Sequence, residues 1–217
     1  MKRERALFDE IIFPNGKSKA FTMSYDDGTI HDRRLVEIMN RYGIRGTFNL
    51  NAGFLGQTCW IGGLHGNLDI SKIEPDEVPT LYAGHEIAGH GLNHASPTDI
   101  GSSAYFYETI EDKAALEHLT GNLVRRYAYP FRAYDEKTKN VMQLAGYHYA
   151  RTVDTTRQFE LPTDFLAWKG TCHHNDPQLM QLAERFCRGE HFSLHTKLFY
   201  VWGHSYEFAD DDNWSCI

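Results

Sequence analysis

Histidine and aspartate are the residues of this chain most able to do chemistry together. There are 12 histidines among 217 residues. At that density chance alone gives about 0.7 pairs at H-x-x-x-H spacing, so each pair must be judged by its surroundings. In His90-Gly91-Leu92-Asn93-His94, a strand-like Glu86–Ala88 precedes the pair and Pro97 follows. One helical turn fits between them. Residues four apart on a helix stand about 5–6 Å apart at Cβ, a separation that suits two imidazoles on one metal ion. His191-Phe192-Ser193-Leu194-His195 alternates as a strand does, and four strand residues span about 13 Å, too far for one ion. His85-Glu86-Ile87-Ala88-Gly89-His90 has the lettering of a zincin, but its second histidine comes one position late. Five helical positions turn that side chain about 140° from the first. A carboxylate donor is available in Asp26-Asp27-Gly28, although taken alone this segment reads better as a plain turn. His173-His174 opens a polar loop after Trp168-Lys169-Gly170; solvation is its expected state, a secondary site the alternative. His204 follows a hydrophobic run, where it can cap a strand.

Alternating strands and helices place these groups. Phe21–Tyr25 reads as a strand ending at Asp26-Asp27, with Gly28 free to turn the backbone. Leu35, Ile38 and Met39 recur at helical spacing in His31–Tyr42, which Gly43 stops. Gly46–Leu50 is the next strand. Residues 51–71 hold five glycines and read as a loop insertion. A short helix is expected at Pro75–Ala83 and a strand at Glu86–Ala88. Ala114, Leu116, Leu119 and Leu123 mark a helix over Ile110–Tyr127, and Tyr127–Tyr129 a strand closed by Pro130. Helix Asp135–Ala145, strand His148–Val153, helix Pro177–Phe186 and strands Phe192–Leu194 and Leu198–Trp202 complete the series. The alternation implies a parallel α/β sheet or barrel in one domain, residues 1–217. Chemistry in such folds collects at the carboxyl ends of strands, where Asp26-Asp27, Pro130-Phe131 and His204 all fall.

Bulk properties narrow the partners. A net charge of −7 and no long basic run argue against nucleic acid, whose phosphates call for a basic surface. No apolar stretch approaches the roughly 20 residues that cross a bilayer, so no membrane partner is expected, and oligomeric state is left open. No apolar segment follows Met1-Lys2-Arg3-Glu4-Arg5, so no signal peptide is seen. That reads as cytoplasmic, or as secreted or periplasmic where a leader has been trimmed. Cys59, Cys172, Cys187 and Cys216 form no C-x-x-C pair; reduced, mostly buried thiols are expected rather than a zinc knuckle.

Ser24-Tyr25-Asp26-Asp27-Gly28 followed by Gly84-His85-Glu86-Ile87-Ala88-Gly89-His90-Gly91-Leu92-Asn93-His94 resembles the first two motifs of the polysaccharide deacetylases, carbohydrate esterase family four. Those motifs look like T-F-D-D-G and G-H-E-I-x-x-H-[ST]-x-x-H. Ala128-Tyr129-Pro130-Phe131 resembles the third, R-x-P-[YF], and Trp202-Gly203-His204 stands where the fifth places a histidine. The resemblance implies a distorted (β/α) barrel of seven or so strands. It makes Asp27, His90 and His94 ligands of a divalent ion, most often zinc, with cobalt or nickel as alternatives. Asp26 becomes the base, His204 the acid and the Phe131 N–H an oxyanion donor. Three departures stand out. Ala128 replaces the arginine that pairs with the catalytic aspartate, Gly91 replaces a hydroxyl residue, and no D-x-x-D-W motif is visible. Arg151, ending a predicted strand, is placed to supply the missing cation.

The resemblance implies hydrolysis of an acetyl group on a carbohydrate, and this set of residues suits hydrolysis of an amide or ester. An ion held by two neutral imidazoles and a carboxylate keeps positive charge and open positions for carbonyl and water. A neighbouring carboxylate can take a proton, and histidine titrates near neutrality, as an acid for the leaving group should. Tyr25, Tyr129, Phe131, Trp202 and Tyr206 flank the motifs, where core packing competes with a sugar-stacking role. Two other readings stay open: hydrolysis of a small non-sugar amide or imide, and sugar binding by a degenerate site.

Overall fold

The computed structural model describes residues 12–188 and 196–217. Strand β1 (Lys19–Asp26) leads through Gly28 into helix α1 (Asp32–Arg41), and β2 (Gly46–Leu50) follows. A hairpin of β3 (Trp60–Gly63) and β4 (Gly66–Asp69) and the short helix α2 (Val78–Leu81) precede β5 (Glu86–Gly89). Next come α3 (Ser102–Thr120), β6 (Arg126–Ala128), α4 (Glu136–Leu144) and β7 (Tyr149–Thr155). The last elements are β8 (Trp168–Gly170), β9 (Cys172–His173), α5 (Leu179–Arg188), β10 (Lys197–His204) and α6 (Glu207–Asp210).

Eight strands form one sheet in the order β8-β7-β6-β5-β2-β1-β10-β9, and every neighbour is parallel. This is the α/β architecture expected, with one strand more than seven. The ladder is not closed. Its two outer strands, β8 and β9, are separated by Thr171 alone, whose N–H donates to the Tyr200 carbonyl at 2.7 Å. Parallel strands covered on both faces read as continuous apolar runs, which explains Leu198-Phe199-Tyr200-Val201-Trp202, buried throughout β10. Leu35 and Met39 of α1 meet the sheet with Phe48 and Leu50 of β2, all four inaccessible to solvent.

Register puts the chemistry at one end. Asp26 pairs with His204 on one side and with Asn49 on the other. Leu50 pairs with Gly89, immediately before His90, and Ala128 pairs with Arg151. The base, acid and histidine candidates therefore leave the sheet at one carboxyl rim.

Several sequence expectations are corrected. The helix expected at Ile110–Tyr127 runs instead over Ser102–Thr120 and ends at Gly121, whose φ of +68° gives a left-handed cap. Its buried stripe is Tyr105, Thr109, Asp112 and Leu116, so the polar members hid the first two turns, while Leu123 is exposed. Residues 51–71 are not a structureless loop, since they contain a 3-10 turn at Ala52–Phe54 and the β3–β4 hairpin. Cys172 is the one buried cysteine of the four; Cys59 is half-buried, and Cys187 and Cys216 are exposed. The His191/His195 pair and the Phe192–Leu194 strand lie outside the described residues. Among the described residues no helix is long and apolar enough to cross a membrane.

Candidate active site

Asp27, His90 and His94 converge at the rim. His90 Nε2 lies 3.1 Å from His94 Nε2, and Asp27 Oδ1 lies 3.7 and 3.8 Å from these two atoms. Donors bonded to one ion at about 2.0–2.2 Å stand about 3.3–3.5 Å apart in a tetrahedral set, so the triangle fits an ion. His90 Nδ1 meets the Ala128 carbonyl at 2.8 Å. A carbonyl only accepts, so Nδ1 carries the proton and Nε2 presents its lone pair. Burial lowers the pKa of both histidines, His94 to about 4, and the neutral rings are the form a metal binds. For Asp27, burial opposes ionisation, but Lys72, His90, His204 and His94 outweigh it and hold the carboxyl below its usual range.

The helical turn expected between the histidines is absent. They are joined by a tight loop in which Gly91 has φ +82° and His94 φ +53°. A Cβ at Gly91 would stand 3.0 Å from the Tyr127 hydroxyl, so the loop's backbone and its neighbour both favour glycine where the family carries a hydroxyl residue. Two groups invisible to motif reading hold this loop. Asn51 Nδ2 donates to the carbonyls of His90 and Gly91 at 2.8 and 2.7 Å. Asp112 of α3 accepts the N–H groups of His90 and Gly91 at 3.0 Å each and that of Ala52 at 2.8 Å. Burial pushes the Asp112 carboxyl up to about 7 against the pull of those three donors.

Asp26 is 2% exposed and Arg151 1%. The guanidinium reaches both oxygens of the Asp26 carboxylate. It also donates to Ser24 Oγ at 3.3 Å and lies over the Trp202 ring, 4.8 Å from its centroid. Arg151 thus stands against Asp26 although position 128 is alanine. Asn49 Nδ2 adds a 2.8 Å hydrogen bond to Asp26 Oδ1. Burial raises the Asp26 pKa, but Arg151, His90 and His204 overcome it and bring the value to about 2.

His204, the last residue of β10, has its Nε2 4.0 Å from Asp26 Oδ2. Its Nδ1 lies 3.2 Å from Glu207 Oε1, and its backbone N–H donates to Glu207 Oε2 at 3.1 Å. Burial disfavours the charged ring, yet Glu207, Asp26 and Asp27 lift its pKa to about 9. Glu207, one turn past the strand, is a further residue that sequence reading missed; an acid three positions after a histidine was the available signal. His173 and His174 are drawn to the same carboxylate, each Nε2 within 3.2 Å of Oε2, and His174 is buried. The solvated loop expected there is not what forms.

Phe131 sits in a single turn, Pro130–Arg132, at φ +57°. The residue is 65% exposed, and its ring stands edge-on to His94, 4.5 Å between centroids. Among the described residues no acceptor takes its backbone N–H. Tyr25, Tyr129 and Trp202 are buried core residues, leaving Phe131 and half-buried Tyr206 as the flanking rings open to a ligand.

The sequence model of the polysaccharide deacetylase family matches residues 14–150. No curated protein sequence matches the chain. Among solved structures, a chitin deacetylase from the fungal pathogen Colletotrichum lindemuthianum superposes with TM-score 0.57 at 17% identity, covering 89% of this chain and 76% of that one. IcaB from Ammonifex degensii gives 0.55 at 19% identity, covering 68% and 64%. The Streptococcus pyogenes deacetylase PplD, solved with acetate, gives 0.51 at 19% identity, covering 61% and 55%. The chain thus spans under two thirds of the length of the last two, and at these identities the likeness establishes a shared fold.

Proposed function

Since the chain belongs to the polysaccharide deacetylase family, we propose that it is a metal-dependent hydrolase that removes acetyl groups from an N-acetylated or O-acetylated carbohydrate. One observation carries the reading: the Asp27–His90–His94 donor triangle shares a strand rim with an Arg151-held Asp26 and a Glu207-held His204. Asp27, His90 and His94 would hold the ion, and the mixed imidazole and carboxylate donors suit zinc, cobalt or nickel better than magnesium or calcium. When bound, such an ion supplies Lewis acidity to a carbonyl oxygen and to water.

The chain's own residues supply the rest. Asp26, with a pKa near 2, is ionised at neutral pH and accepts a proton from the attacking water as its oxygen bonds to the acetyl carbon. Arg151 and Asn49 fix the direction of that carboxylate. The Phe131 N–H is the proposed donor to the oxyanion that forms. His204, kept protonated by Glu207 up to about pH 9, gives its Nε2 proton to the leaving nitrogen or oxygen as the bond to the acetyl carbon breaks. Acetate and the free amine or hydroxyl leave.

The test is acetate release from N-acetylglucosamine oligomers and acetylated xylan by zinc- or cobalt-loaded protein. Acetate is expected from the wild type, and none from Asp26→Asn or after chelation. Metal-loaded protein that frees no acetate from any glycan would overturn the carbohydrate reading in favour of a small amide or imide. Protein that binds no metal would point to sugar binding alone.

A further inference from the structure

His173, His174 and Glu207 form a second group of donors with the composition of a metal site, apart from Asp27, His90 and His94. Their ligand atoms all lie within 4.8 Å of one another. Glu207 Oε2 stands 3.2 Å from His173 Nε2 and 3.1 Å from His174 Nε2. Those separations match the edges of a tetrahedral set, about 3.3 Å for bonds near 2.0 Å.

His174 points to a ligand in its own right. Its side chain is 2% exposed, yet neither ring nitrogen has a hydrogen-bond partner. Buried polar atoms are normally satisfied, and an exception calls for an explanation such as an ion. Nε2 stands 3.1 Å from Glu207 Oε2, within reach of an ion that the two would share. The ring is also locked in place. It stacks between Phe208 and Tyr25, 4.2 and 5.7 Å between centroids, and Gly203 makes room for it, since a Cβ there would fall 2.0 Å from His174 Nδ1.

We propose that His173 Nε2, His174 Nε2 and Glu207 Oε2 bind a second divalent transition ion, zinc or cobalt, beside His204. Two imidazoles and one carboxylate suit these ions over magnesium and calcium. His173 and Glu207 are each about a quarter exposed, which leaves a face open to water as the fourth ligand. The Asn175 N–H now donates to His173 Nδ1 at 3.2 Å. Ligation through Nε2 puts a proton on Nδ1, so this one backbone hydrogen bond at an exposed turn is exchanged for a metal bond. Glu207 Oε1 keeps His204 Nδ1, and one carboxylate then links the second ion to the proposed acid.

The experiment titrates chelator-stripped full-length protein with zinc against a chromophoric chelator, and with cobalt while its visible bands are recorded. Wild type is expected to take two ions per chain. His94→Ala, His174→Ala and His173→Gln should each keep one, and His94→Ala combined with His173→Gln none. His173→Gln changes a part-exposed residue, so it decides the matter where His174→Ala fails to fold. A single ion lost with His94→Ala overturns the second site and leaves the proposed active site standing. A single ion that survives His94→Ala but not His173→Gln keeps the second site and removes the ligand set of the proposed function. Two ions that survive His173→Gln and a folded His174→Ala also overturn the proposal.

Discussion

Three aspartates within seven positions meet three environments. Successive side chains of an extended strand point to opposite sides, but Asp27 has φ +81°, and that left-handed turn brings its carboxylate to the rim that Asp26 also faces. Asp26 is ionised by contact with Arg151, and Asp27 by Lys72 and three histidines. Asp32, at the start of α1, is 1% exposed. Tyr82 Oη donates to its Oδ2 at 2.6 Å. Burial prevails there over the bonds from Ser205 and Tyr82, and the carboxyl is raised from 3.8 to about 7. Between those two values the folded chain keeps a proton that the unfolded chain gives up, so Asp32 makes stability fall as pH rises from about 4 through 7. Wild type should therefore lose stability relative to Asp32→Asn between pH 4.5 and 7.5 in urea titrations. A difference that stays constant with pH would refute the buried, protonated carboxyl.

At the scale of elements, α3 does more than cover the sheet. Asp112 reaches from its buried face to three backbone N–H groups and so fixes the loop that carries His90. Asp112→Asn replaces one acceptor oxygen with an NH2 group facing a donor, and a buried N–H left unpaired costs about 1–3 kcal/mol. Urea denaturation should show a loss of that size together with weaker zinc binding. Unchanged stability and affinity would mean that α3 does not hold the ligand loop. The same helix shows where sequence reading stopped. Asp26, Asp27, His90, His94 and His204 were legible because they lie in short motifs at strand ends. Arg151 was legible because it lies in a predicted strand beside a site short of one cation, although β7 runs on past it to Thr155. Asp112, Asn49 and Asn51 act across the fold on backbone or side-chain groups, and no local spacing announces such contacts; Glu207, three positions after His204, did offer a local spacing that was not read. The ends of α3 were misread for a related reason, since a helix that buries threonine and aspartate does not show the apolar period on which such reading depends.

For the molecule as a whole, an ion on Asp27, His90 and His94 would tie the exit of β1 to the exit of β5. A ligand that binds only the folded chain stabilises it by mass action, about 4 kcal/mol at a thousand times its dissociation constant. For a chain of this length that corresponds to roughly 8–16 °C in melting temperature. Zinc-loaded wild type should melt higher than chelator-treated protein by an interval of that order, and His90→Ala should narrow it. An equal melting temperature with and without chelator would deny any folding-linked ion. The pairing of β1 with β10 over eight positions carries a further consequence. Asp26 and His204 face each other across that ladder, although they are far apart in sequence. During synthesis the early strand must wait, its edge uncovered, until Lys197–His204 has left the ribosome. The proposed base and acid meet only when those two strands pair, so a nascent or truncated chain lacking Lys197–His204 would hold the base without its acid.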